Sequence, residues 1–141
     1  TGPMLERAGR RIDRQGWANV SLVRGDATRP PIRDADAVLS TFVTSLFSDP
    51  APVVRRWCAF ADSVVVANFA PRGTRPANAA LEAFARVNAR LFDVEDANPL
   101  SQLDERTAAS RRALEAEMDT VTTRRYVWGT IEVNAGHRSS E

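Results

Sequence analysis

The sequence predicts an α/β protein, in which helices flank a sheet of parallel strands. Helix-like and strand-like patterns alternate along the chain, and the strand candidates are short and apolar at their centres. Parallel strands that are covered on both faces have such continuous apolar centres. Regular alternation of helix and strand gives stacked layers that are joined by right-handed crossovers.

The composition is that of an ordinary globular domain. The chain has 141 residues, 43% hydrophobic and 26% charged, and we expect a single domain. One Cys, 7 Gly and 8 Pro exclude a disulfide scaffold and collagen. The net charge of +1 is too small to hold nucleic acid or an anionic membrane, and no apolar stretch could span a bilayer. We therefore expect a cytoplasmic protein that binds neither nucleic acid nor membranes.

The first third of the chain predicts one helix and two strands. Pro3 suits the first turn of a helix, which Gly16 can end in the left-handed conformation. A strand follows over residues 19–24 and ends in a turn at Gly25-Asp26. After a Pro-rich loop, residues 36–41 form a second strand.

The middle of the chain continues the alternation. Asp49-Pro50 begins a helix, and residues 63–69 are the most apolar strand candidate. The apolar face of the helix consists of Val53, Val54, Trp57, Cys58 and Ala61. A second helix follows, with one face made of Ala80, Leu81, Phe84, Val87, Asn88 and Leu91.

The last third predicts a helix and one or two strands. Ser101 and Asp104 have the spacing of a capping box. The inward face of the helix that follows consists of Leu103, Thr107, Leu114 and Met118. Residues 120–133 alternate with period two, as one long strand or as a hairpin that turns near Trp128-Gly129. This alternation places Val121, Val127, Ile131 and Val133 on one face and Tyr126 and Trp128 on the other.

Ligands of such sheets bind outside the carboxyl ends of the strands, which singles out a few residues. Asp26 could accept a hydrogen bond from the amine of an adenine, with the Ala27 N–H donating beside it, or Asp26 could simply begin a turn. Ser40 and Thr41 could bind a small polar ligand with Phe42 as a wall, or the two could merely end the strand while Phe42 belongs to the core. Asn68 could bind substrate or only a loop backbone.

Other chemistry has little support in the sequence. Cys58 lies on an apolar helix face and is expected to be a buried hydrophobe, and His137 is expected to be solvated. One Cys and one His leave no catalytic triad and no zinc site, and the acidic residues lack the spacing of a metal loop. Tyr126 and Trp128 could line a substrate pocket or pack against a helix.

Five segments together resemble class I, seven-stranded S-adenosylmethionine-dependent methyltransferases of the small-molecule, ubiquinone/menaquinone-biosynthesis-like type. The segments are residues 1–8, 20–27, 36–42, 48–50 and 63–69. Their order and spacing carry the resemblance, which implies a partial Rossmann-like methyltransferase sheet and S-adenosyl-L-methionine as cofactor. The family's first two strands and glycine-rich loop are missing, so the resemblance implies an incomplete, N-terminally truncated domain over residues 1–141.

The resemblance also implies roles for single residues. Asp26 and Ala27 would contact the adenine, and Met4 would pack against it. Ser40, Thr41 and Phe42 would border the methionine part of the cofactor. Ser45, Asn68 and Tyr126 are weaker candidates for contacts with a small-molecule methyl acceptor, and the catalytic residues are not implied. Residues 94–118 would form a lid over the substrate or a plain packing helix.

Without the first two strands, we expect residues 1–141 alone to bind the cofactor poorly or not at all. The strand at 36–41 would then have an open edge. Two alternatives stay open: a cofactor-free α/β module for binding or oligomerisation, and a fragment of another nucleotide-binding enzyme. A dehydrogenase of that kind would need a Tyr with a nearby Lys, and the chain has no Lys.

Overall fold

The computed structural model describes residues 2–91 and 99–139, apart from the side chains of residues 84–91 and 99–100. The chain divides into two compact units, Thr1–Pro31 and Ile32–Glu141. The first unit holds helix α1, Gly2–Gln15. Gly16 ends this helix as predicted, since its φ of 64° is the left-handed conformation that glycine adopts without strain.

The predicted strand over residues 19–24 is wrong, because these residues form no regular secondary structure. Val20, Leu22 and Val23 are between 42% and 58% exposed, so they are not the buried centre of a strand. An isolated extended segment leaves its backbone hydrogen bonds to water, and its apolar pattern alone cannot hold it in a sheet.

The second unit is a mixed α/β layer structure, which confirms the predicted fold class. Its helices are α2 (Ala51–Cys58), α3 (Arg75–Leu91) and α4 (Pro99–Glu117). Its strands are β1 (Ala35–Thr41), β2 (Ala61–Phe69), β3 (Thr120–Tyr126) and β4 (Ile131–His137). The sheet order is β1-β2-β4-β3, with β1 and β2 parallel and β4 antiparallel to both of its neighbours. This arrangement is compatible with a partial Rossmann-like fold.

The core lies between one face of the sheet and helices α2 and α4. Val64 and Val66 of β2 are fully buried against Val54 of α2 and Leu114 of α4. Gly136 of β4 lies opposite Val64 and directly under Met118, which leaves no room for a larger residue.

The same face becomes polar toward the carboxyl ends of β1 and β2. Because side chains alternate along a strand, Asn68 continues the row of Val64 and Val66. The register places Asn68 opposite Glu132, and Val66 opposite Asn134. All three polar residues are fully buried. The apolar core therefore ends in a buried polar layer at the edge where ligands of parallel strands bind.

Three local predictions need correction. Ala61 belongs to β2 and not to the preceding helix. Ser101 and Asp104 lie within α4, which is helical from Pro99, so they do not form a capping box; Asp104 instead accepts a hydrogen bond from Arg72. The side chains of Phe84, Val87, Asn88 and Leu91, and residues 94–98, lie outside the described residues.

Of the two predicted alternatives, one long strand or a hairpin, the hairpin is confirmed. It comprises residues 120–137 and turns at Val127–Gly129. The predicted common face of Val121 and Val133 is wrong. Val121 pairs with Gly136, whereas Val133 pairs with Arg124, so the two valines point to opposite faces. The turn shifts the alternation, and a count along one straight strand cannot reproduce it.

Candidate functional site

The chain leaves β1 through a tight turn at Phe42. Phe42 has a φ of 60°, a conformation in which large side chains are strained. Its N–H donates to the Ala67 carbonyl of β2, at 2.7 Å, and its own carbonyl accepts the Ser45 hydroxyl at 2.9 Å. Such strain persists where the surroundings fix the backbone, and it is concentrated at functional sites.

The aromatic ring of Phe42 stacks on that of Phe69. The ring centroids are 4.4 Å apart and the planes are inclined by 21°. Aromatic pairs of this kind contribute about 1 kcal/mol beyond the area that they bury. The pair joins the carboxyl ends of β1 and β2, where the predicted ligand-binding edge lies.

Asn68 and Ser40 have buried polar atoms without hydrogen-bond partners. The Asn68 Oδ1 accepts the Thr44 hydroxyl at 2.9 Å, but among the described residues the Asn68 Nδ2 and the Ser40 Oγ have no hydrogen-bond partner. Ser40 pairs with Val66, so both polar side chains lie on the face that α4 covers. Unsatisfied buried polar groups are rare and indicate a position with a further requirement.

The structure brings some of the predicted residues together. Ser40, Phe42, Ser45 and Asn68 lie around the turn that follows β1, and Thr41 is exposed beside them. Tyr126 ends β3 and is 49% exposed. Met4, Asp26 and Ala27 belong to the other unit, and their contacts with a cofactor stay predictions.

Asp26 begins a turn, as one of its two interpretations predicted. Its Oδ1 accepts the Thr28 N–H at 2.9 Å, and its carbonyl accepts the Arg29 N–H at 3.0 Å. The hydrogen bond from the Thr28 backbone is the main cause that lowers the pKa of this exposed carboxyl. The carboxylate is therefore ionised at neutral pH, as an acceptor for an amine would need to be.

An apolar pocket lies beside Phe69 and is lined in part by Trp128, which is one of the two aromatic residues that could line a pocket by their sequence pattern. It has a volume of about 240 Å³. Its walls include Phe69, Ala77, Ala80, Leu81, Trp128 and Thr130. These residues come from the end of β2, the first half of α3 and the hairpin turn, which are distant in sequence. Only the exposed aromatic residue at the turn, Trp128, was a visible signal.

An unpredicted feature is the buried carboxylate of Glu132. It is fully buried on β4 and lies among the guanidinium groups of Arg72, Arg111 and Arg125, at 3.2 to 3.8 Å. Arg72 also donates to Asp104 at 2.8 Å, and this hydrogen bond is the main cause that raises the pKa of Arg72. A Glu within a strand resembles a solvent-facing residue in sequence, so the pattern gave no signal.

Cys58 and His137 are placed outside this site. Cys58 is 1% exposed, which confirms its predicted burial, and this burial raises the pKa of the thiol to about 11. His137 ends β4, and its Nδ1 lies 2.8 Å from the Ser63 hydroxyl. Within the described residues, no group of three or more His, Cys, Asp or Glu side chains could hold a metal ion.

Comparison with known proteins supports the fold more than the activity. No protein-family model and no curated protein matches the chain. A possible exported protein from Bordetella parapertussis is 16% identical with a TM-score of 0.67, over 96% of this chain and 50% of that one. A provisionally named methyltransferase from Bacillus halodurans is 14% identical with a TM-score of 0.51, over 99% of this chain and 80% of that one.

The two similarities show a shared fold only, because the identities are low. The chain spans about half the length of the Bordetella protein.

Every helix within the described ranges is too short or too polar to cross a membrane. One of the two similar structures is a possible exported protein, so the cytoplasmic location stays a prediction.

Proposed function

We propose that the chain is part of an S-adenosylmethionine-dependent methyltransferase that acts on a small-molecule acceptor. The observation that carries the proposal is the edge where Phe42, Phe69 and Asn68 meet at the carboxyl ends of two parallel strands. The similarity to the Bacillus halodurans protein supports the same reaction class.

The residues at this edge fit the methionine part of the cofactor. The Asn68 Nδ2 and the Ser40 Oγ are buried polar atoms without a partner among the described residues, and both can donate to a carboxylate. The exposed Thr41 and the strained turn at Phe42 would border the same group. Asn68 also holds the turn, because its Oδ1 accepts the Thr44 hydroxyl.

The chemistry requires little from the protein beyond position. The sulfonium of the bound cofactor is already an activated methyl donor. The protein would hold the acceptor in line with it and exclude water, which accelerates reactions between two bound molecules. The stacked rings of Phe42 and Phe69 supply a dry, rigid wall for that purpose.

Substitution of Asp26 is the most direct test of whether the protein binds the proposed cofactor. We expect Asp26→Asn to keep the turn, because an Asn side chain also accepts the Thr28 N–H. Loss of a charged acceptor for the adenine amine would weaken cofactor binding by about tenfold or more. Asp13→Asn, at an acid within α1, is the matched control and should leave binding unchanged.

Calorimetry with S-adenosylmethionine, on the natural protein that carries this sequence, measures the effect. Transfer of a labelled methyl group to a pool of small metabolites then identifies the acceptor. We expect residues 1–141 alone to bind poorly. Equal affinity in Asp26→Asn and Asp13→Asn would contradict the adenine contact, and no binding by the natural protein would contradict the proposed function.

A second candidate is a module for binding or oligomerisation that uses no cofactor. It is favoured by β1, which is an edge strand of the described sheet and carries Leu39 with 71% of its surface exposed. Unpaired edge strands readily pair with another chain. A concentration-dependent dimer by light scattering that Leu39→Lys abolishes, together with no cofactor binding by the natural protein, would favour this alternative.

A further inference from the structure

We infer that the pocket between β2, α3 and the hairpin turn binds an uncharged, apolar ring or branched chain. The claim that the pocket binds an apolar group is independent of the proposed function. The further claim that this group belongs to the methyl acceptor rests on the proposed function. The pocket volume of about 240 Å³ is below the usual range for whole drug-sized ligands. It therefore suits one small group of a ligand.

The chemistry of the walls determines the ligand class. Every described side chain that lines the pocket is uncharged, and Phe69 and Trp128 present aromatic surface. The polar groups among them are the indole N–H of Trp128 and the hydroxyl of Thr130, which donates to the Val127 carbonyl at 2.7 Å. An ionised ligand would lose its hydration here without gaining a counter-charge. An apolar ligand is stabilised by the surface that it buries.

The pocket is rigid because the loop after β2 is locked onto the hairpin turn. A Cβ on Gly73 would lie 2.5 Å from the Trp128 carbonyl oxygen, and a Cβ on Gly129 would lie 2.7 Å from the Arg72 carbonyl oxygen. Only glycines permit backbones to approach this closely. A preformed pocket binds with a smaller loss of conformational entropy than one that must order first.

Asn78 fixes the third wall. Its Oδ1 accepts the Gly73 N–H at 2.9 Å, and its Nδ2 donates to the Pro71 and Gly73 carbonyls, both at 3.2 Å. The first turn of α3, which carries Ala77, is thereby tied to the same loop. The walls from β2, α3 and the turn thus form one connected unit.

Trp128 marks the pocket as a site that is used. Its ring is 78% exposed, and its backbone is in the left-handed conformation with φ 54° and ψ 29°. Such conformations are costly for large residues and are found at ligand clamps. A ligand in the pocket would cover part of this exposed ring and so recover apolar burial.

Phe69 connects the pocket to the candidate cofactor edge. Its ring stacks on Phe42, and the same residue lines the pocket. A ligand in the pocket would therefore lie one aromatic ring away from the turn that follows β1. This is the proximity that transfer between two bound molecules requires.

Two matched probes test the ligand class. 2-Naphthol is uncharged at neutral pH, and 2-naphthalenesulfonate has the same ring system with a negative charge. We expect calorimetry with the full chain to give saturable binding of 2-naphthol and at least tenfold weaker binding of the sulfonate. Absence of saturable naphthol binding, or equal affinity for both probes, would overturn the inference.

Two matched variants test the place. Ala77→Leu fills the pocket from α3, whereas Ala79→Leu adds the same group to an exposed position on the same helix. We expect naphthol affinity to fall at least tenfold in Ala77→Leu and to be unchanged in Ala79→Leu, with both variants folded by circular dichroism. Equal affinities would place the probe elsewhere and overturn the site. Cofactor binding, measured separately on the natural protein, tests the proposed function independently of this result.

Discussion

Arg72 and Glu132 form an ion pair between the loop after β2 and the start of β4, with Nη1 and Oε2 3.3 Å apart. Glu132 is fully buried, so its charge is stabilised by the surrounding guanidinium groups and not by water. The pair holds the loop whose Gly73 contacts the hairpin turn. A single buried carboxylate on the sheet thereby supports the loop that shapes the apolar pocket.

We predict that Glu132→Gln destabilises the protein by about 1–3 kcal/mol, because it removes the buried counter-charge of three guanidinium groups, which are themselves 24% to 49% exposed. Arg72→Met should cost less, since Arg111 and Arg125 still face the carboxylate. The control is Arg55→Met. Arg55 pairs with Glu117 at 3.8 Å and is 55% exposed, so its loss should cost well under about 1 kcal/mol.

Urea unfolding of the three variants gives this ranking. If Glu132→Gln cost no more than Arg55→Met, the buried pair would not contribute to stability in the way its geometry indicates.

Gly136 and Met118 give a prediction about packing. A Cβ at residue 136 would lie 2.8 Å from Met118 Cγ and 3.1 Å from its Cβ. Gly136→Ala should therefore cost about 1–3 kcal/mol by overpacking. Met118→Ala should cost about 2 kcal/mol or more through the cavity that it leaves. The double variant should cost less than the sum, because the new methyl group occupies part of that cavity.

A thermodynamic cycle from urea unfolding measures this coupling. Gly2→Ala is the control, since nothing lies within 4 Å of its added Cβ, and it should change stability very little. Additive costs for residues 118 and 136 would contradict the contact.

The sequence predicted the helices and buried strands of the second unit because their patterns are long and regular. The apolar face of α2 and the strand over residues 63–69 required only local patterns, and both are confirmed apart from Ala61, which belongs to β2. The strand over residues 19–24 failed for a physical reason. Its apolar alternation was real, but a strand exists only when another strand receives its hydrogen bonds.

The site was predictable only in part. Ser40, Phe42 and Asn68 could be named as candidate site residues because they lie at or just after the carboxyl ends of predicted strands. Ligands of parallel sheets bind at those ends. Apart from Trp128 as a candidate pocket residue, the pocket and the Glu132 cluster were not found. They combine residues from four separate segments, among them Arg72, Arg111 and Trp128, and the contacts between such segments leave no pattern in one sequence.

Cys58 gives a prediction about pH. Burial is the main cause that raises the pKa of its thiol from 9.0 to about 11. The unfolded chain therefore ionises first, so the contribution to stability is complete below pH 9 and is lost as the pH rises toward 11. The loss at the upper end should be roughly 2–3 kcal/mol.

Urea unfolding across this alkaline range, on the natural sequence and on Cys58→Ala, isolates the effect. Cys58→Ala should be less stable at neutral pH but should decline less steeply as the pH rises. Parallel curves for the two proteins would show that another group causes the decline.

Substitution of Trp128 is expected to have different effects on stability and on ligand binding. Asn adopts the left-handed conformation more readily than Trp, and Trp128 is mostly exposed, so Trp128→Asn should leave the free energy of unfolding unchanged or raise it by up to about 1 kcal/mol. The same change removes an aromatic wall of the pocket, so affinity for 2-naphthol should fall at least fivefold. Trp17→Asn, which removes another exposed ring outside the pocket, should leave naphthol affinity unchanged. Backbone strain that is retained for ligand binding lowers stability and raises affinity for the ligand. A Trp128→Asn variant that lost stability and kept its naphthol affinity would therefore show that the strained turn serves the fold alone.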